Sequence, residues 1–206
     1  MTAAKSKSVT PIASQEARER IIAAALRAFA TAGFEGASTR QIATEAGVAQ
    51  SLLLYHFGSK DALWRAVMDK LFEGVSVRMA EALRQTRGGS VKDQLLAMIR
   101  GFIAICAEDA DIHRIMTIEG RQPSERLKWL VDRHLRVGHR QACDLIARGQ
   151  KDGSVRQGDP TLLYYSFIAI AGTAFSLAPE IALLTPDKEV VSAGAIESLI
   201  EALIFL

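Results

Sequence analysis

Apolar residues recur along this chain at three- and four-residue steps, the period of amphipathic helices. Ile21, Ile22, Ala25, Leu26, Phe29 and Ala30 form one such stripe, and Ser14 ahead of it and Gly33 behind it bound a helix from Gln15 to about Ala32, with Ser14 as N-cap. Leu63, Val67, Leu71, Val75 and Met79 predict a long helix from Ala62 to about Arg87. Leu95, Met98, Ile99, Phe102, Ile103 and Cys106 predict another over Val91 to Ala107. Beyond the break at Gln122-Pro123-Ser124, Leu127, Leu130, Val131, Leu135, Val137, Cys143, Leu145 and Ile146 predict one helix to about Gly149. Thr161 to Ala178 is the most hydrophobic segment, and Val191, Ile196, Leu199, Ile200 and Leu203 mark a last helix over Val190 to Leu206. No strand-like alternation of useful length appears, so the fold class is all-α.

The stretch from Ser38 to Leu63 carries a finer pattern. Ser38 and Gln41 have the spacing of a capping box, opening a short helix with Ile42, Ala43 and Ala46 as its apolar stripe. Gly47 follows, where a helix end favours a residue tolerant of the left-handed region. A second short helix, about Gln50 to His56, turns Leu53 and Phe57 toward a core. Ser59 then caps a third, with Asp61 in its first turn, where the helix dipole favours an anion. Two short helices joined by a glycine turn predict a helix-turn-helix, whose second helix enters the DNA major groove.

Thr39, Ile42, Ala43, Ala46, Gly47 and Val48, followed by Leu53, His56, Phe57, Ser59, Lys60 and Leu63, resemble the DNA-binding domain of TetR-family transcriptional regulators. The resemblance reaches upstream to Ile21-Ile22, Phe29 and Gly33-Phe34 and covers about the first third of the chain; Gly153, Arg156, Asp159 and Pro160 also resemble the run ahead of that family's penultimate helix. It implies an N-terminal three-helix helix-turn-helix domain and a C-terminal helical domain that binds an effector and dimerises. Two positions depart from the family pattern. Leu54 stands where the family usually has a tyrosine that touches phosphate, with Tyr55 next to it, and Ala49 replaces the usual Ser or Thr cap. Tyr55 is then a candidate for that contact, and Leu54 either packs or touches a thymine methyl.

The candidate DNA-binding residues are Thr39, Arg40, Gln50, Ser51, Tyr55, His56 and Lys60. Gln50 can bond adenine bidentately, and Ser51 and Tyr55 can reach base edges or phosphate. Thr39 and Lys60 sit at helix N-termini, where free N–H groups favour phosphate, and Arg40 can reach backbone or base. His56 either packs within the domain or, as the resemblance implies, contacts phosphate.

Charge agrees with this placement. Residues 1–60 hold seven Lys and Arg against four Asp and Glu, whereas residues 61–206 hold eighteen against nineteen, so the +2 net charge is concentrated at the reading end. The predicted organisation is a flexible tail over 1–13, a helix-turn-helix domain over 14–60 and an effector-binding and dimerisation domain over 61–206. Lys5 and Lys7 in the tail either follow phosphates or are simply solvated.

In the C-terminal part, Glu108, Asp109, Asp111, His113 and Glu119 fit a polar connection between helices better than a metal site. Cys106 and Cys143 read as reduced core thiols. No catalytic, cofactor or metal signature stands out. Polar residues and Pro179 interrupt the apolar segment before it could span a membrane, and no signal peptide precedes it, so the expected compartment is the cytoplasm. The resemblance implies a homodimer built from the last two long helices, a palindromic double-stranded DNA operator, and release of the repressor by a small, largely apolar effector. The rival expectation is a helical ligand carrier or enzyme using a C-terminal cavity.

Overall fold

The computed structural model describes residues 11–206. The chain divides into two compact units, one ending at Met68 and one running from Asp69 to Leu206. Residues 1–10, including Lys5 and Lys7, lie outside the described residues.

In the first unit, α1 (Pro11–Gly36) begins inside the segment expected to be a tail, and Ser14 sits within the helix rather than capping it. Regular helix stops at Gly33, as its sequence predicts, with φ 66° and ψ −179°. The stripe Ile21, Ile22, Ala25, Phe29 and Ala30 is buried.

Next come α2 (Thr39–Glu45) and α3 (Gln50–Phe57), of seven and eight residues. Helices this short are not stable alone in water. They are held by what they bury: Ile42, Ala43 and Ala46 from α2 and its end, and Leu53 and Phe57 from α3. Each large side chain gains about 1.5–3 kcal/mol by leaving water. Ser38 occupies the N-cap of α2 in extended geometry, but its side chain makes no capping bond, so the expected box does not form. The first residues of α4 (Lys60–Gln85) complete the unit, and there the expected cap is present: the Ala62 amide donates to Ser59 Oγ at 3.1 Å. Asp61, in the first turn, pairs with Arg65 at 2.7 Å.

The second unit contains the rest of α4, then α5 (Val91–Glu108), α6 (Asp111–Glu119), α7 (Glu125–Leu130), a π-helical turn (Val131–Leu135), α8 (Arg136–Asp152), α9 (Pro160–Ser176), α10 (Ala178–Leu184) and α11 (Ala193–Ile204). Its core joins Leu95, Ile99 and Ile103 of α5 to Ile146 of α8, Phe167 of α9 and Ile200 of α11. Local chemistry sets the helix starts. Ser90 and Asp93 form a reciprocal capping box on α5, Ser124 caps α7, Asp159 caps α9 with Pro160 following, and Ser192 caps α11.

Several boundaries differ from expectation. The acidic stretch is helical rather than a connection: α6 turns Ile112, Ile115 and Glu119 inward, and Arg126 lies 3.5 Å from the Glu119 carboxylate. The helix expected over 125–149 is interrupted by the π turn. Continuing the α period from buried Leu130 would bury positions 137 and 141. The buried set of α8 is instead Ala142, Leu145, Ile146 and Gly149, and Val137 is 67% exposed. The apolar segment ends at Ser176 and bends by 70° into α10, and the last helix starts at Ala193 rather than Val190. Cys106 is buried, whereas Cys143 is only half-buried; both are free thiols. Among the described residues no single helix is long and apolar enough to cross a membrane. Val155 and Phe205 form an isolated antiparallel bridge, in which Arg156 N donates to Ile204 O at 2.9 Å and Leu206 N to Ser154 O at 3.2 Å.

Candidate nucleic-acid interface

The turn between α2 and α3 is closed by its own backbone. The Gly47 amide donates to Thr44 O at 3.1 Å and the Val48 amide to Ala43 O at 2.9 Å, the paired bonds of a Schellman ending. The motif requires a left-handed residue after the cap, and Gly47 supplies it at φ 66° without the strain a Cβ would bring. α1 braces this turn from behind. Arg20 Nε donates to Ala46 O at 3.1 Å, Arg27 pairs with Glu45 at 2.6 Å, and the Arg18 guanidinium lies 5.4 Å from the Phe57 ring centre.

The anchored α3 divides cleanly by exposure. Leu53 and Phe57 face the core, and Gln50, Ser51, Leu54 and Tyr55 face outward, with Tyr55 82% exposed. Side chains at these spacings share one helical face, as a reading helix requires. Of the residues singled out from sequence, Gln50 and Thr39 are brought into direct contact: Gln50 Nε2 donates to Thr39 Oγ1 at 3.1 Å. This bond ties the N-termini of α2 and α3 together and orients the glutamine amide. Ser51 and Tyr55 share the outward face, and Arg40 is exposed on α2.

Two candidates are engaged inside the unit. The His56 ring lies between those of Tyr55 and Phe57, at centroid distances of 5.6 and 6.2 Å, and its Nε2 is buried. The Lys60 ammonium lies 4.5 Å from the Phe34 ring centre and 3.3 Å from Glu35 O. Leu54, absent from the candidate set, is 40% exposed on the same face as Gln50. The four-residue step from Leu53 to Phe57 marks Leu53 as the inward leucine of the run, and of the two readings open for Leu54, packed or outward, the structure has the outward one.

The second unit carries an open groove of about 500 Å³ lined by Gln85, Thr86, Asp93, Ala97, Arg100 and Gly101. Asp93 and Arg100 give it charged walls, unlike the largely apolar pocket expected for an effector. Arg100 also pairs with Glu197 of α11 at 2.7 Å.

The chain is all-α, with an N-terminal helix-turn-helix whose second helix presents Gln50, Ser51, Leu54 and Tyr55 outward. Residues 21–67 match the family of bacterial regulatory proteins, tetR family. Over 97 residues the chain is 34% identical to an uncharacterised HTH-type transcriptional regulator in the dhlA 5′ region of Xanthobacter autotrophicus, covering 47% of this chain and 48% of that one. It is 25% identical over 163 residues to the HTH-type transcriptional repressor AcnR of Corynebacterium glutamicum, covering 73% and 75% of the two chains. The match thus spans about half the length of the first of these relatives. Its fold is shared with AibR, solved in complex with isovaleryl coenzyme A and operator DNA, at a TM-score of 0.74 and 17% identity over 91% of this chain and 97% of that one. Residues 21–67 thus carry the domain shared by bacterial regulatory proteins of the tetR family.

Proposed function

We propose that the protein is a sequence-specific DNA-binding transcriptional regulator that represses from a palindromic operator as a cytoplasmic homodimer and is released by a small-molecule effector. The observation that carries this reading is the outward face of α3, where Gln50, Ser51, Leu54 and Tyr55 stand on a helix braced by α1 and α2. Gln50, Ser51 and Tyr55 read base edges, while Thr39, Arg40 and Lys60 hold phosphates. Lys60 reaches a phosphate by leaving Glu35 O, a modest exchange for an ammonium at the surface. His56 packs within the domain and keeps α3 in place.

Dimerisation is supported by apolar residues left outward on the last two long helices: Leu162 and Tyr165 on α9, Leu199 and Leu203 on α11. Apolar side chains grouped on adjacent helices favour association with a second copy, and two-fold symmetry matches two operator half-sites. Repression is supported by the relative AcnR, a repressor, and effector control by AibR, whose complex holds both an acyl-coenzyme A and operator DNA. An effector that prefers a form with misspaced reading helices weakens DNA binding by the difference in its affinities, and the effect is mutual.

The test is selection of genomic fragments with the purified full chain at near-physiological salt, followed by footprinting of the enriched fragments. A two-fold symmetric footprint supports the proposal. Equal retention of random fragments counts against it.

A further inference from the structure

Building on the DNA-reading function proposed above, we propose that Leu54 reads the 5-methyl group of thymine in each operator half-site. A single exposed leucine is ordinary on a protein surface. Its position is what matters: Leu54 lies one turn after Gln50 and three residues after Ser51, on the outward face of α3, while its neighbour Leu53 is fully buried. The leucine side chain offers no donor or acceptor. Pressed against a base edge that presents hydrogen-bonding groups, it strips water from them and returns nothing, which penalises such a base. In the major groove, thymine presents an apolar methyl at its edge, and contact there removes two apolar surfaces from water together. Leu54 therefore both favours thymine and disfavours other bases at the position it covers, the two sides of specificity.

Gln50 sharpens the assignment. One amide N–H of Gln50 is held by Thr39 Oγ1, which fixes the side chain beside Leu54 and sets the register of the whole face. Polar readout from Gln50 and Ser51 and apolar readout from Leu54 then address neighbouring base pairs of one half-site. Tyr55, a residue further round the helix, addresses a different base edge from the one that Leu54 covers.

The test starts from the operator obtained by selection. Each thymine of a half-site is replaced singly by deoxyuridine, which removes the methyl and leaves every hydrogen-bonding group unchanged. Binding is measured for the wild-type chain and for Leu54→Ala at fixed salt. One thymine per half-site is expected to cost the wild type about fourfold when replaced, and on the order of sixteenfold when both half-sites are changed. Leu54→Ala is expected to bind the thymine and deoxyuridine operators alike at that position. Wild-type indifference to every replacement, or an unchanged ratio in Leu54→Ala, overturns the inference while leaving DNA reading intact. Failure to prefer any sequence over random DNA removes the proposed function, and this inference with it.

Discussion

The His113 imidazole of α6 lies directly against the backbone of Gly172 in α9: a Cβ at Gly172 would stand 2.1 Å from His113 Nδ1. The two helices approach this closely because the glycine has no side chain. Gly172→Ala must therefore displace the ring or separate α6 from α9, at a cost of about 1–3 kcal/mol. Urea unfolding of Gly172→Ala, His113→Ala and the double variant measures it. The double variant is expected to be more stable than the sum of the single effects predicts, because removing the ring vacates the space that the new methyl needs. Strict additivity would show that the clash is relieved elsewhere.

The same contact sets a pH dependence. Burial pushes the His113 imidazole below its ordinary value, and burial does the same at His134, where Asp69 partly opposes it. The folded state thus binds these protons more weakly than the unfolded chain, whose histidines titrate near about 6.5. Stability is complete above that value and falls as the pH drops from about 7 toward 5. His113→Gln is expected to flatten the fall in this range. Parallel profiles for the wild type and the variant would place the lost stability on other groups.

A charge on the outward face of α11 discriminates the proposed dimer from a monomer. Leu199→Glu and Leu203→Glu replace side chains that are 51% and 49% exposed, so each should fold with unchanged helix content. Sedimentation is expected to show a dimer for the wild type and a monomer for either variant, because burying an unpaired carboxylate opposes association. Variants that remain dimeric would move the interface away from α11.

Lys60→Ala is expected to weaken binding equally on operator and random DNA, and to reduce the slope of log affinity against log salt by about 0.9, the value for one neutralised phosphate. The phosphate role is lost if the slope is unchanged. Unfolding of the same variant reports separately on what the ammonium contributes over Phe34.

The short helices were legible because their signals are local and chemical. Gly47 announces a left-handed ending, Ser59 offers a capping hydroxyl immediately before α4, and Ile42, Leu53 and Phe57 have nowhere to go but inward. What failed to show depends on contacts far along the chain. Ser38 has the right neighbours for a capping box, yet its side chain makes no cap, while Ser90, with Asp93, forms one. The acidic residues from Glu108 to Glu119 read as a solvated link because their partners are remote or later: Arg78 pairs with Glu108 at 2.6 Å, and Arg126 accompanies the buried Glu119. α10 was hidden because Pro179 reads as the end of a helix, whereas here it stands in the first turn of a new one. The inward leucine of α3 was legible from its four-residue step to Phe57, whereas the sequence left Leu54 open between packing and exposure, which the fold decides.

The π turn at Val131–Leu135 has a further consequence. Such a turn is an α-helix holding one residue more than its period allows. Side chains on either side of it obey the same rule but count from different origins, like two scales offset by one division. Within the turn His134 is stacked on Phe72 at 5.0 Å and meets Trp129 edge-on at 5.3 Å. Deleting a single residue there would restore an unbroken helix and rotate the whole of α7, with Trp129 and Arg126, by one position against α8. At this place in the chain, the length of the sequence matters more than the identity of its letters.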